Sequence, residues 1–181
     1  MPLAPPPGYP RCFIALGPDA ATRAELADRA ARLPGTPLRP ADLHLTLAFL
    51  GGLDASQADR LAEALRPLAA AVPPLDSLAF ELWPQPAHPR VAVQAYALSD
   101  RLRALVAQIQ AILRTMDLPV EARPFRPHVT LARFAHDRAV PPIPAMPQAP
   151  PAAFDSLGLY CSAARETGLR YRALYRWSLP R

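Results

Sequence analysis

Two stretches of this chain share the motif His-x-Thr-Leu: His44-Leu-Thr-Leu-Ala-Phe-Leu-Gly51 and Arg123-Pro-Phe-Arg-Pro-His-Val-Thr-Leu-Ala-Arg133. Each is rich in apolar residues and predicts a strand. In a strand, the side chains at positions i and i+2 point to the same face. The histidine and threonine of each copy therefore share one face, and the apolar residues between them point to the other, towards a core.

Each motif strand closes a strand–helix–strand unit. The first unit begins with a strand at residues 11–16 and continues through a helix that Asp19 can cap. The second begins with a strand at residues 91–96 and continues through a helix capped by Ser99. Because the order of elements and the motif both recur, we interpret the chain as an internal duplication. A pseudo-twofold axis would then bring the two histidine strands together.

The remaining segments complete an α+β pattern. Asp54 and Gln57 resemble a capping box, and the apolar stripe behind them predicts a helix that passes Val72 and ends at Pro73-Pro74. Six prolines in residues 141–151 favour an extended connector. Further strands are expected at about residues 77–83, 154–161 and 170–177, the last two flanking a turn around Glu166-Thr-Gly168. Many strands are adjacent in sequence, which favours a mixed or antiparallel sheet over a doubly wound one.

Length and composition indicate one domain, residues 1–181, built of two pseudo-symmetric lobes. No uncharged apolar run approaches 18 residues and the first ten residues do not resemble a signal peptide, so we expect a cytoplasmic protein without a membrane partner. Cys12 and Cys161 lie in apolar runs and are expected to be small buried residues. The net charge of +5 favours an anionic partner, although a solvated basic face would carry the same charge.

The paired histidines point to acid–base chemistry. Histidine titrates near neutrality, so His44 and His128 can divide the acceptance and the donation of a proton. Phosphodiester cleavage needs both acts, and threonine hydroxyls can hydrogen-bond the phosphoryl oxygens where negative charge develops. Neither motif has a cluster of acidic residues nearby, and two histidines alone are a poor zinc site. We therefore expect metal-free catalysis with no cofactor, while His88 and His136 lack this context and are expected to be solvated.

The two stretches quoted above, with their flanks, resemble the signatures of the RNA 2′,3′-cyclic phosphodiesterase family, also called 2′-5′ RNA ligases, within the 2H phosphoesterase superfamily. The resemblance covers nearly the whole chain. It implies a bilobal α+β fold in which two mainly antiparallel sheets face a central cleft with helices outside. It also implies hydrolysis of a 2′,3′-cyclic phosphate, on RNA or a nucleotide, to a 2′-phosphomonoester.

The resemblance assigns roles to six residues. His44 would protonate the departing 3′ oxygen and His128 would activate water, and the reverse division of these two roles stays open. The substrate-binding residues would be Thr46 and Thr130 at the phosphoryl oxygens, Arg133 at the phosphate, and Phe49 as a ring on which the base stacks.

Strict alternation conflicts with two of these roles. It places Phe49 on the core face with Leu43, Leu45 and Leu47, and it places Arg133 opposite His128. Either a bulge or twist re-aims both side chains, or Phe49 is a core aromatic and Arg133 is structural. Arg126 could order the loop before the second motif or reach the phosphate, and the first alternative is favoured.

Two functions of different class remain open on the sequence alone. One is the cyclic phosphodiesterase, with reversible 2′-5′ RNA ligation as the family's other activity. The other is an RNA-binding module that uses the same cleft without turnover, but recognition alone would not need two titratable groups. A monomer is expected because the two lobes of one chain already supply both histidines.

Overall fold

Antiparallel pairing joins the strands throughout this computed structural model, which describes residues 8–163 and 170–180. The strands are β1 (Tyr9–Pro18), β2 (Thr36–Pro37), β3 (Leu45–Leu53), β4 (Ser77–Trp83), β5 (Val91–Tyr96), β6 (His128–Arg133), β7 (Phe154–Ser162) and β8 (Tyr171–Ser178). The helices are α1 (Ala20–Ala31), α2 (Ala55–Leu65) and α3 (Asp100–Thr115). The predicted α+β class is confirmed; the turn predicted at Glu166-Thr-Gly168 lies outside the described residues.

The two motif strands are neighbours at the centre of the sheet. Its order is β4-β5-β6-β3-β1-β7-β8, and β2 lies off this path, paired to the Ala132–Arg133 end of β6. The register between β3 and β6 consists of the single pair Leu45 and Val129. The two expected sheets are therefore joined at one point into an eight-stranded sheet, and the histidine strands meet at this junction.

The three helices begin at the predicted caps. The Asp19 carboxylate accepts a hydrogen bond from the Thr22 backbone N–H at 2.8 Å, and Ser99 Oγ accepts one from the Leu102 N–H at 3.2 Å. The capping box of α2 has both of its hydrogen bonds. In packing, α1 contacts β6 and α3 contacts β3, so each helix covers the motif strand of the other unit.

The predicted end of α2 is wrong. The helix stops at Leu65 and continues only as a 3₁₀ turn over Arg66–Leu68, well before Pro73-Pro74. Pro67 has no N–H to donate to the carbonyl four residues earlier, and its ring clashes with that turn. Val72 is nevertheless buried, so the apolar stripe identified the core contacts even where it misplaced the helix end.

Strand β3 also runs further than its sequence indicates. The apolar run of this strand is followed by Gly51 and Gly52, yet the strand continues to Leu53. Gly51 has a φ of +72° and lies opposite Cys12 of β1. A residue without a side chain adopts this backbone conformation without strain, so the glycine bends the strand instead of ending it. Cys12 and Cys161 are both buried, as expected.

Candidate active site

The six residues singled out by the sequence line one open cleft of about 940 Å³. They are His44, Thr46, Phe49, His128, Thr130 and Arg133. His44 lies immediately before β3, and His128 is the first residue of β6. Because these strands are neighbours in the sheet, the two His-x-Thr pairs face the same space from opposite sides of the junction.

A β-bulge in β6 removes the conflict between the strict alternation of side chains and the role that the resemblance assigns to the arginine of this strand. Ala92 of β5 lies opposite Ala132, but the next residue, Val93, lies opposite Thr130. Leu131 is therefore the extra residue of the bulge, and the strand reverses its facing beyond it. Leu131 and Ala132 are both buried, and Arg133 joins His128 and Thr130 on the cleft face.

The same irregularity occurs at the matching position of β3. Ile14 of β1 lies opposite Ala48, and Ala15 lies opposite Thr46, so Leu47 is the extra residue. Phe49 consequently points into the cleft and is 61% exposed. The alternative that Phe49 is a core aromatic is wrong. In both motifs the bulge falls on the leucine of His-x-Thr-Leu, and the residue five positions after the histidine is turned to the cleft.

Backbone carbonyls hold the two histidine rings in the same way. Nδ1 of His44 lies 2.7 Å from the carbonyl oxygen of Asp42, and Nδ1 of His128 lies 2.8 Å from that of Arg126. A carbonyl can only accept, so Nδ1 carries the hydrogen in both rings. Nε2 is then the nitrogen that can accept or donate a catalytic proton in each ring.

Aromatic side chains enclose the His44 ring. Phe13 stacks on it with ring centroids 4.7 Å apart, and Tyr171 meets it edge-on at 5.2 Å. The Tyr171 hydroxyl also accepts a hydrogen bond from the Arg133 guanidinium at 3.3 Å. Tyr171 thus links His44 to Arg133. It belongs to β8, and nothing in the sequence of that strand singles out this tyrosine.

The surroundings of His128 are more polar. The Trp83 ring lies 4.4 Å from the His128 ring, and the Arg126 guanidinium covers Trp83 at 4.6 Å. Glu81 accepts hydrogen bonds from both, at 2.6 Å from Trp83 Nε1 and 2.8 Å from Arg126 Nη2. Arg126 therefore orders the loop before the motif, the role that the sequence favours for it.

Burial lowers the pKa of both histidines below the ordinary value of 6.5, because the charged imidazolium loses hydration. The charge of Arg133 lowers the pKa of His44 further, against the opposing hydrogen bond to the Asp42 carbonyl. Arg126 likewise lowers the pKa of His128, while the nearby Glu81 carboxylate opposes this change. Both rings therefore favour the neutral state at neutral pH.

Other side chains of the cleft have no distinguishing sequence context. Arg11, Arg39 and Arg170 line it together with Asp42, whose carboxylate accepts a hydrogen bond from Arg39 Nε at 3.0 Å.

His88 and His136 are exposed, as expected. In the part of the chain that the structure describes, no three His, Cys, Asp or Glu side chains lie close enough together to hold a metal ion. Within the same residues, none of the helices has the length and apolar character needed to cross a membrane.

Sequence comparison identifies a family that matches most of the chain. The family model of the 2'-5' RNA ligase superfamily matches residues 17–161. The RNA 2',3'-cyclic phosphodiesterase of Bacillus subtilis (strain 168) is 35% identical over 102 residues, which are 53% of this chain and 54% of that protein. A protein of the same name from Aeropyrum pernix is 29% identical over 111 residues, 59% of this chain and 63% of that protein. The chain thus spans between about half and two thirds of the length of these curated relatives.

Structural comparison covers nearly the whole chain. Escherichia coli LigT, solved as a complex with 3'-AMP, aligns with a TM-score of 0.66 and 28% identity, over 96% of this chain and 99% of LigT. The expected phosphoesterase-like α+β architecture is therefore confirmed.

Proposed function

The chain belongs to the 2'-5' RNA ligase superfamily, and from this premise we propose that it is a metal-independent hydrolase of 2′,3′-cyclic phosphates at the ends of RNA or on nucleotides. Its product is a 2′-phosphomonoester. One observation carries the proposal: two His-x-Thr pairs face one cleft, and each histidine is held through Nδ1 so that Nε2 is available for proton transfer. The names of the two curated relatives agree with this activity.

The reaction needs one proton to be removed and another to be supplied. Nε2 of His128 accepts a proton from water as the water oxygen attacks phosphorus, and protonated Nε2 of His44 donates a proton to the 3′ oxygen as the P–O3′ bond breaks. Phosphorus keeps its ester bond to O2′, which makes the product the 2′-monoester. Proton exchange with solvent then restores both rings.

The other four residues bind the substrate in this mechanism. The Thr46 and Thr130 hydroxyls donate hydrogen bonds to the non-bridging oxygens, and the Arg133 guanidinium neutralises negative charge on the phosphate. Phe49 offers an exposed ring to the terminal base. The bulges at Leu47 and Leu131 bring Phe49 and Arg133 to the cleft that the histidines face.

Product identification tests the proposed function. Purified protein incubated with a 2′,3′-cyclic nucleotide in excess EDTA should convert it to the 2′-phosphate, without the 3′ isomer. Unchanged substrate, with or without added divalent ions, would leave an RNA-binding module as the better description. Activity that EDTA abolishes and a divalent ion restores would contradict the metal-free mechanism.

The pH dependence should reflect the lowered histidine pKa values. The reaction needs one neutral and one protonated ring, and that state is most populated between the two pKa values, both below 6.5 in the free protein. We expect a bell-shaped profile of kcat/KM with its maximum below pH 6.5. The maximum of kcat should lie at higher pH, because the bound phosphate anion favours the imidazolium forms. A kcat/KM maximum above pH 7 would contradict this account.

Two finer properties belong to the same proposal. Attack of an RNA 5′-hydroxyl on the cyclic phosphate in place of water, with the same cleavage of the P–O3′ bond and protonation of O3′, would form a 2′-5′ phosphodiester, which is the ligation expected of the family. A monomer is proposed as the active species, since one chain supplies both His-x-Thr pairs. Light scattering at assay concentration measures its mass.

A further inference from the structure

The described part of the cleft contains more positive charge than one cyclic phosphate needs. Arg11, Arg133 and Arg170 all line it, and none of the ion pairs among the described residues involves these three arginines. Asp42 is the one acidic side chain in that lining, and it is paired with Arg39. A cyclic phosphodiester carries a single negative charge, which Arg133 and a protonated histidine already balance.

Arg11 belongs to the end of the cleft remote from the phosphate-binding threonines. Its neighbour Cys12 lies opposite Gly51 of β3. Gly51 is five residues beyond Thr46, and Phe49 lies between these two residues along the strand. At a rise of roughly 3.3 Å per residue, Thr46 and Gly51 are separated by ~16 Å of strand, somewhat less where the bulge shortens it. Arg11 has a φ of +48°, in a region that residues with a side chain rarely adopt.

Arg170 approaches the same end from the other side. Its carbonyl oxygen accepts a hydrogen bond from the Ala163 N–H at 3.0 Å, and the next residue, Tyr171, pairs with Ser162. The β1–β7 pairing ends at Phe13 and Tyr160, two residues from Arg11 and from Ser162, and both Arg11 and Ser162 line the cleft. Two exposed arginines, one in β1 and one immediately before β8, thus line the cleft together with Phe49.

We propose that Arg11 and Arg170 form a subsite for the phosphodiester upstream of the terminal nucleotide, so that the preferred substrate is an oligoribonucleotide and not a free cyclic mononucleotide. The inference rests on the proposed function and specifies its substrate. The cyclic phosphate lies between the histidines, the terminal base lies on Phe49, and the chain continues towards the two guanidinium groups. Arginine suits this position because its planar fork of N–H donors matches two phosphate oxygens.

The test compares three substrates: a cyclic mononucleotide, the same mononucleotide with a 5′-phosphate, and a trinucleotide that ends in the cyclic phosphate. We expect kcat/KM for the trinucleotide to exceed that for the unphosphorylated mononucleotide about tenfold or more, the effect of one good charge-assisted contact. Arg11→Gln and Arg170→Gln should each remove most of this ratio. Arg11→Lys, which retains the charge, should retain most of it.

Salt dependence separates a direct phosphate contact from a structural effect. For the trinucleotide, the slope of log kcat/KM against log salt concentration should become shallower by about 0.7 for each lost phosphate contact on a single strand. Arg103→Gln provides the matched control, because it removes one exposed positive charge from α3, outside the cleft lining. It should leave both the ratio and the slope unchanged.

The outcomes distinguish this inference from the function on which it rests. A protein that hydrolyses none of the three substrates contradicts the proposed function itself. Equal kcat/KM for all three, with no change of ratio in the Arg11 and Arg170 variants, overturns the subsite and leaves the hydrolase standing. A gain shown by the 5′-phosphorylated mononucleotide and lost in the Arg11 and Arg170 variants supports the subsite, because its phosphate occupies the O5′ position of the upstream phosphodiester. A gain for the trinucleotide that both variants leave unchanged assigns the contact to other residues and overturns the subsite.

Discussion

Replacing His44 or His128 with alanine is expected to lower kcat by about two orders of magnitude or more in each case. Each substitution removes one of the two proton-transfer groups that the proposed mechanism uses, and the described residues of the cleft lining include no further histidine that could take over. Single-turnover hydrolysis of a cyclic substrate measures the loss directly. The double variant should be little worse than either single one, because both rings serve one reaction step and their effects are not additive.

A matched control separates catalysis from folding. His88→Ala removes an exposed histidine that does not line the cleft and should leave kcat unchanged. His44→Ala also opens space beside Phe13, so thermal unfolding of each variant should accompany the kinetics. Near-native rates for both folded single variants would show that the acid and base lie elsewhere.

Replacing Thr46 or Thr130 with valine is expected to lower kcat about a hundredfold, the usual effect of removing one donor to a developing negative charge. Valine has nearly the shape of threonine but lacks the hydroxyl, so packing in β3 and β6 should change little. Both side chains are only partly buried at the cleft face, and a lost core hydrogen bond would not explain the effect. Steady-state kinetics should show the decrease mainly in kcat, because the hydrogen bond strengthens in the transition state.

Serine is the corresponding conservative variant. Thr46→Ser and Thr130→Ser retain the hydroxyl and should recover most of the activity that valine removes. A valine variant with a raised KM and an unchanged kcat would instead mean that the threonine binds substrate and transition state equally. Serine variants as inactive as the valine variants would show that the methyl group, and hence packing, is the important part.

Sequence periodicity predicted the elements that local residues determine. The caps at Asp19, Asp54 and Ser99 and the strands Ser77–Trp83 and Val91–Tyr96 depend on neighbours within a few positions, and the structure has them as expected. The paired histidines were also recognisable, because the same tetrapeptide recurs in two similar units. The end of α2 was misplaced since its apolar stripe continues through residues that Pro67 prevents from remaining helical.

The bulges were recognised only as one of two alternatives, because they depend on register between strands distant in sequence. Whether Leu47 is an extra residue is determined by how Ile14 and Ala15 of β1 pair with β3. Tyr171 and Trp83 were missed for a similar reason. Each contacts a histidine from a strand that only the folded sheet brings near it, and neither lies in a motif.

At each bulge, the positions of the strand that line the cleft change from even-numbered to odd-numbered. Before the extra leucine the cleft is lined by even-numbered residues, 44 and 46 in one strand and 128 and 130 in the other; beyond it, by the odd-numbered 49, 51 and 133. In the proposed mechanism, the even-numbered set therefore supplies the proton transfers and the hydrogen bonds to the phosphoryl oxygens, and the odd-numbered set supplies the base contact of Phe49 and the charge of Arg133. Under that mechanism, substitution of Phe49 is expected to change which nucleotide is accepted while the even-numbered set stays constant. A library aimed at new base preference should therefore diversify 49 and leave the buried Leu50 and the positive-φ Gly51 alone.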